Sequence, residues 1–250
     1  MKKSLLLGLV CTLMLGVSGC MSEETNVKNV QQVANKKDNK LVNNMLQDLN
    51  ESTNESLIEY KFFPSKKGFN TNESYSYLLA ENKDNLKVIV FEKNERKGNY
   101  LNNYNSVLAA KYLETYLNNL MNFAGNVFVS IESSDLMSLT KEEIERDYLN
   151  LIKEEDTIDI FVTVEKFDEE TIKELFYFYK KIREINKMFS FQVATTKDLN
   201  KTREFVDYYS YYALNYNWAT FDETAEIKMR IYREEFSSLD SFKSFILEVK

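Results

Sequence analysis

Histidine is absent from the 250 residues of this chain. Without an imidazole there is no Ser-His-Asp or Cys-His machinery, none of the usual zinc sites, and no ordinary general base near neutral pH. Cysteine is nearly absent too: Cys11 and Cys20 both lie in the first twenty residues. A domain built from the remainder has no disulfide to brace it and must draw its stability from an apolar core. Beyond residue 20, glycine occurs only at Gly68, Gly98 and Gly125. Phosphate-cradling loops and the Gly-x-Ser-x-Gly nucleophile elbow need glycines in close succession, which excludes both. No cofactor motif remains, and no cofactor is expected. Apolar runs of roughly 20 residues, the length needed to cross a bilayer, are missing as well.

What is present reads as a folded domain. The chain is 44% apolar with 14% aromatic residues, ample material for a core in one domain or two small ones. Its formal charge is −7, and no basic cluster runs against that sign. An acidic surface gains nothing electrostatically from a phosphate backbone, so nucleic acid is not an expected partner.

The first residues follow a different logic. Lys2 and Lys3 precede an apolar stretch from Leu5 to Val17, which gives way to small residues before Cys20. A basic head, a short apolar run and a small-residue cut site make an export signal, not a span. The tetrad Val17-Ser18-Gly19-Cys20 resembles the lipobox of bacterial lipoproteins. That resemblance covers the first twenty residues and implies removal of residues 1–19, diacylglycerol and palmitate on Cys20, and a membrane anchor on the extracytoplasmic face. With Met21 after the cysteine, the outer face of a Gram-positive membrane or the outer membrane of a diderm fits. Loss of Lys2 and Lys3 with the signal takes the charge from −7 to −9.

Residues 20–54 are polar and lack aromatics, too little apolar surface to offset ordering, so they read as a tether. Such a coil reaches roughly 30 Å. Val42, Met45, Leu46 and Leu49 fall at helical spacing within it and predict a short helix. The globular domain is expected over 55–250. It opens with a hairpin, Tyr75–Ala80 and Leu86–Glu92 around the turn 81–85. Helices are predicted at Tyr104–Phe123, after a capping box at Thr140–Glu143, after an Asp168 cap, and at Lys201–Tyr216. Strands are predicted at Val127–Ile131, Ile158–Val164, Phe189–Val193 and Glu226–Tyr232, with a turn of helix and an edge strand between Phe242 and Val249.

The strands decide the class. Ile158, Ile160, Val162 and Val164 alternate with Asp159, Phe161 and Thr163, and the two later strands alternate similarly. Alternation marks sheets covered on one side, whereas fully parallel sheets read as continuous apolar runs. The expected class is α/β of the α+β kind: a two-layer sandwich with helices on one face of a mixed or antiparallel sheet, like a split βαβ unit. A doubly wound parallel sheet is the alternative.

Candidate sites are few. Glu154-Glu155-Asp156 with Asp159 is the densest acidic stretch, but it lacks the spacing and turn glycine of a calcium loop and reads as a solvated helix end. The helix near Lys201–Trp218 carries aromatics on two faces. Phe205, Tyr209, Ala213 and Tyr216 form the core stripe, while Tyr208, Tyr211, Leu214 and Trp218 lie on another side. A second apolar face means burial all round or an exposed aromatic surface. The second outcome would make those four residues a partner-binding face, since Tyr and Trp favour interfaces. The expected function is therefore a non-catalytic binding or interaction module of the cell envelope, not an enzyme, held to the membrane by Cys20, with an envelope protein or a glycan as partner. The alternatives are a glycan or small-ligand receptor using that aromatic face, and a carboxylate-based envelope hydrolase.

Overall fold

The computed structural model describes residues 38–64, 76–92, 100–133, 135–155, 157–212, 218 and 223–247, with the backbone alone described at 92, 154 and 208–212. The first element, α1 (38–53), forms where the apolar spacing predicts a helix. Its Val42, Met45 and Leu49 are buried in the main core, with Leu46 partly buried beside them. The helix stops where Asn54 takes a left-handed φ of 53°, a conformation asparagine tolerates at helix ends. The Asn50 carboxamide then grips Leu57, accepting from its N–H (2.8 Å) and donating to its carbonyl (3.1 Å). These contacts correct the expected tether. Residues 38–54 belong to the folded domain, because three side chains one helical face apart supply apolar surface that the polar average of the segment conceals.

Among the described residues, eight strands divide into two sheets. The first is an antiparallel meander of β1 (Ile58–Phe63), β2 (Tyr77–Glu81), β3 (Lys87–Glu92) and β4 (Tyr100–Asn102). The predicted β2–β3 hairpin is present. Asn82 Oδ1 accepts from Asp84 N and Leu86 N, while Asn85 adopts a left-handed φ of 58°. The second sheet runs β5 (Gly125–Ile131), β6 (Ile158–Val164), β7 (Phe189–Thr195) and β8 (Glu226–Tyr232). Only β6 and β7 are parallel; the outer pairs are antiparallel. Gly125 is required at its start, since a Cβ there would stand 2.1 Å from the Thr163 carbonyl oxygen.

Among the described residues there are five further α-helices: α2 (Tyr104–Leu120), α3 (Lys141–Leu151), α4 (Glu169–Ile185), α5 (Leu199–Tyr212) and α6 (Leu239–Lys243). The caps fall where the local chemistry predicts them. Thr140 and Glu143 form a reciprocal capping box on α3, and Asp168 accepts from Thr171 N on α4. Helix α2 ends at Leu120, three residues short of the expected Phe123, as Met121 turns to extended backbone (ψ 139°) to enter β5. At the far end, Ile246 makes a bridge to Met229 on β8 instead of a regular edge strand; Val249 lies outside the described residues.

The fold is thus α+β, with mixed and antiparallel sheets as the strand alternation indicates. The structure adds a second sheet and a second covered face. Val127, Val129, Ile160, Val162, Phe191 and Val193 enter the main core with α4 residues such as Leu175 and Tyr179. On the reverse of the same sheet, Phe128, Phe161 and Ala194 pack under Phe205 and Val206 of α5. Helices on one face alone is therefore corrected. Three apolar residues on the nominally polar side make a patch that α5 covers. The antiparallel β5–β6 pair excludes the doubly wound alternative.

The free edge of β5 faces α2 instead of another strand. Asn118 donates to Val127 O (2.9 Å) and accepts from Val127 N (3.0 Å), and Val129 N donates to Glu114 Oε2 (3.3 Å). Side chains of one helix stand in for a neighbouring strand and blunt an edge that would otherwise invite pairing.

Candidate functional site

The sequence-derived candidates separate. Cys20 and Leu214 lie outside the described residues, and Tyr208 and Tyr211 are described only as backbone in α5. Trp218 is buried, with 1% of its surface exposed. Its ring stands edge-on to Phe161 at 5.6 Å and stacks on Phe205 at 6.1 Å, and Nε1 donates to Thr202 Oγ1 at 3.2 Å. Of the two outcomes open to a second apolar face, Trp218 takes burial, so it is corrected from partner-binding residue to core. The reason is again the Phe128–Phe161–Ala194 patch, which needs cover.

The acidic stretch is scattered. Asp156 and the Glu154 side chain lie outside the described residues, and Glu155 accepts from Ser133 Oγ at 2.7 Å. Asp159 accepts from Ser190 Oγ across the β6–β7 pair, and burial holds its carboxyl above the usual range. Desolvation raises the Glu132 carboxyl too, and the neighbouring Asp159 charge adds to it. Neither residue lines either of the two concavities described next. Among the described residues, no group of three or more acidic side chains converges as a metal site.

The first concavity is a charged junction between the sheets. Lys87 of β3 pairs with Asp207 of α5 at 3.1 Å, and Arg203 Nε holds the other Asp207 oxygen at 2.9 Å. Arg203 Nη1 reaches Glu114 of α2 at 2.6 Å, and its guanidinium lies over the Phe128 ring. The cavity among these groups measures about 60 Å³. That admits water but not a metabolite, so the network ties sheets and helices together and is not a ligand seat.

The second concavity is of a different order, about 610 Å³, within the span of small-molecule sites, about 300–1,000 Å³. It forms where the end of α1, the β4–α2 junction and the start of α3 meet. Its charged centre is assembled from three element ends. Glu55 follows the left-handed turn after α1, Tyr104 is the first residue of α2, and Lys141 is the first of α3. Glu55 Oε1 accepts from Lys141 Nζ at 2.6 Å and from the Tyr104 hydroxyl at 2.9 Å. The Lys141 hydrogen bond holds the Glu55 carboxyl below the ordinary range, and the same bond raises the Lys141 ammonium. Burial, then the hydrogen bond to Glu55, pushes the Tyr104 phenol up. Lysine at a helix start and glutamate just past a helix end both oppose the helix dipole. Each makes good the other's unfavourable position.

None of these residues stands out in the sequence. The available signal is the run Asn102-Asn103-Tyr104-Asn105, three asparagines around a helix start. All of them line the cleft, beside Tyr100 and Met137.

No protein-family model matches the chain, and no curated protein matches it. Among solved structures, it is similar to a crystal structure of a DUF5037 family protein from Ruminococcus gnavus, with a TM-score of 0.52 at 14% identity. The match covers 81% of this chain and 97% of the other. At that identity the likeness speaks to the fold alone.

Proposed function

We propose that this chain is a lipid-anchored protein of the bacterial cell envelope that acts by binding, with the cleft between α1, α2 and α3 as its ligand seat. The observation that carries the reading is the cleft itself, a concavity of about 610 Å³ lined mainly by polar side chains. Anchoring rests on the basic head, the short apolar stretch and the Val17–Cys20 motif. Among the described residues no helix is long and apolar enough to cross a membrane; the proposed attachment is through acyl chains on Cys20. Two or more such chains hold far more firmly than one, each buried methylene adding about 0.8 kcal/mol. The receptor reading moves from the Tyr208–Trp218 face to the cleft because Trp218 is buried. The hydrolase reading gains nothing from Glu132 and Asp159, which lie away from the cleft.

Two variants test the two halves. Cys20→Ala is expected to abolish labelling by radioactive palmitate and shift the protein from the membrane to the soluble fraction. Continued membrane residence of that variant removes the anchor. Ser52→Trp places an indole at the cleft wall formed by the end of α1, where, among the described residues, the serine bonds its own helix through Leu49 O. A ligand from the native envelope that raises the melting temperature of the wild type should no longer do so in Ser52→Trp. An undiminished rise puts the seat elsewhere.

A further inference from the structure

Taking that cleft as the seat, we propose that its ligand is a neutral, hydroxyl-rich molecule of the saccharide type. The argument begins with charge. Glu55 and Lys141 neutralise each other at 2.6 Å, and Glu142, also on the lining, sits in the first turn of α3 where the helix dipole offsets its charge. The lining is left with the one negative charge of Glu142, which is exposed to solvent and disfavours anions without a paired site for a cation.

Hydrogen-bonding capacity narrows the class further. Asn102 and Asn103 each spend the carboxamide oxygen internally, on Tyr104 N (3.1 Å) and Ile89 N (2.8 Å). Among the described residues their NH₂ groups have no acceptor, so each remains a donor. Asn105 is arranged the other way. Its NH₂ donates to Leu136 O (2.7 Å) and Leu139 O (2.8 Å), which leaves the carboxamide oxygen as an acceptor. Asn102, Asn103 and Asn105, all on the lining, thus hold unspent donors and an acceptor within four consecutive residues, with Asn103 also bordering the first concavity. A carboxylate or phosphate only accepts and an ammonium only donates, so each fails to satisfy part of this set. A hydroxyl does both and rotates to suit. Adjacent hydroxyls on one ring supply both the acceptors and the donor that these side chains call for. Tyr100 and Met137, also on the lining, supply apolar surface for the C–H face that a sugar ring carries beside its hydroxyls.

The test uses the full lipidated protein in a polyoxyethylene detergent, which has no sugar headgroup. Maltose, cellobiose and N,N′-diacetylchitobiose serve as neutral probes, with glutamate and trialanine as ionic ones, and binding is followed by calorimetry. At least one disaccharide should bind in preference to both ionic probes. The Asn102→Asp, Asn103→Asp double variant should weaken that binding about tenfold, through the loss of two donors. Aspartate keeps the oxygen that each asparagine uses internally, so the melting temperature serves as the folding control. Absence of binding by all three disaccharides at about 10 mM, the limit of weak recognition, overturns the class. A glutamate or trialanine signal that Ser52→Trp removes also overturns the class while leaving the seat intact. A disaccharide signal that survives Ser52→Trp overturns the seat and this inference with it.

Discussion

Deletion of residues 38–53 is expected to abolish cooperative unfolding, leaving a chain with secondary structure but no sharp thermal or urea transition. The segment looks dispensable by composition, a polar stretch ahead of the first strand. Yet Met45 and Leu49 are fully buried and Val42 nearly so, all three within the main core. Burying each such side chain is worth about 1.5–3 kcal/mol, so the three together supply roughly 5–9 kcal/mol. The whole stability of a domain is about 5–15 kcal/mol. Removing the helix also removes Asn50, whose two hydrogen bonds set Leu57 just before β1. A graded version, Met45→Ala with Leu49→Ala, should lower the urea midpoint strongly without changing the fold, each truncation costing about 2–5 kcal/mol. A deletion variant with a wild-type urea midpoint would falsify the assignment of α1 to the domain and restore the tether up to residue 54.

Arg203→Met carries the second large effect, an expected loss of about 3 kcal/mol in unfolding free energy, in the range for breaking a buried ion pair by removing one partner. Arg203 bridges Asp207 on its own helix and Glu114 on α2, and those carboxylates are only 12% and 11% exposed. Without the guanidinium, Asp207 retains Lys87 at 3.1 Å, whereas Glu114 keeps the Val129 N–H at 3.3 Å and, among the described cations, the more distant Lys111 at 3.7 Å. Glu114 is the more exposed to the loss. Glu114→Gln in the Arg203→Met background should recover a large part of it, because glutamine stays neutral and can still accept from Val129 N. Urea denaturation of the wild type, the two single variants and the double variant reads the coupling directly, expected at about 1–3 kcal/mol for groups in one network. Additive single effects would mean that Arg203 and Glu114 do not act on each other.

The legible parts of this protein are those whose cause is local. The helix at Glu169–Ile185 is announced by Asp168 ahead of it and by Ile172, Leu175, Tyr179 and Ile182 at helical spacing, and all four are buried. The capping box needs only Thr140 and Glu143, and the hairpin only two apolar runs around an asparagine-rich turn. The run Phe176–Tyr179 reads as mostly core, and only Tyr177 proves exposed. The misreadings share another cause. Phe161 sits among outward-facing alternates of its strand, and its burial depends on Phe205 and Trp218, 44 and 57 positions later. Trp218 looks available for a partner until the sheet face beneath it is counted as apolar.

The candidate cleft was not legible. Glu55 meets Tyr104 across 49 positions and Lys141 across 86, and each belongs to a different element. Local propensity even disfavours two of them, a lysine at a helix start and a glutamate after a helix end. By itself, the sequence determined most of the helices and strands, though not β1 or β4, the α+β class, the absence of disulfide and imidazole chemistry, and the expectation of an anchor at Cys20. Those follow from periodicity, capping and composition, which act over a few residues or over the whole chain at once. The tertiary structure alone decided that α1 joins the core, that the strands split into two sheets, that Trp218 is buried, and that three helix ends enclose a cleft. These depend on which apolar faces find one another across long separations in the chain, and no local pattern encodes that choice.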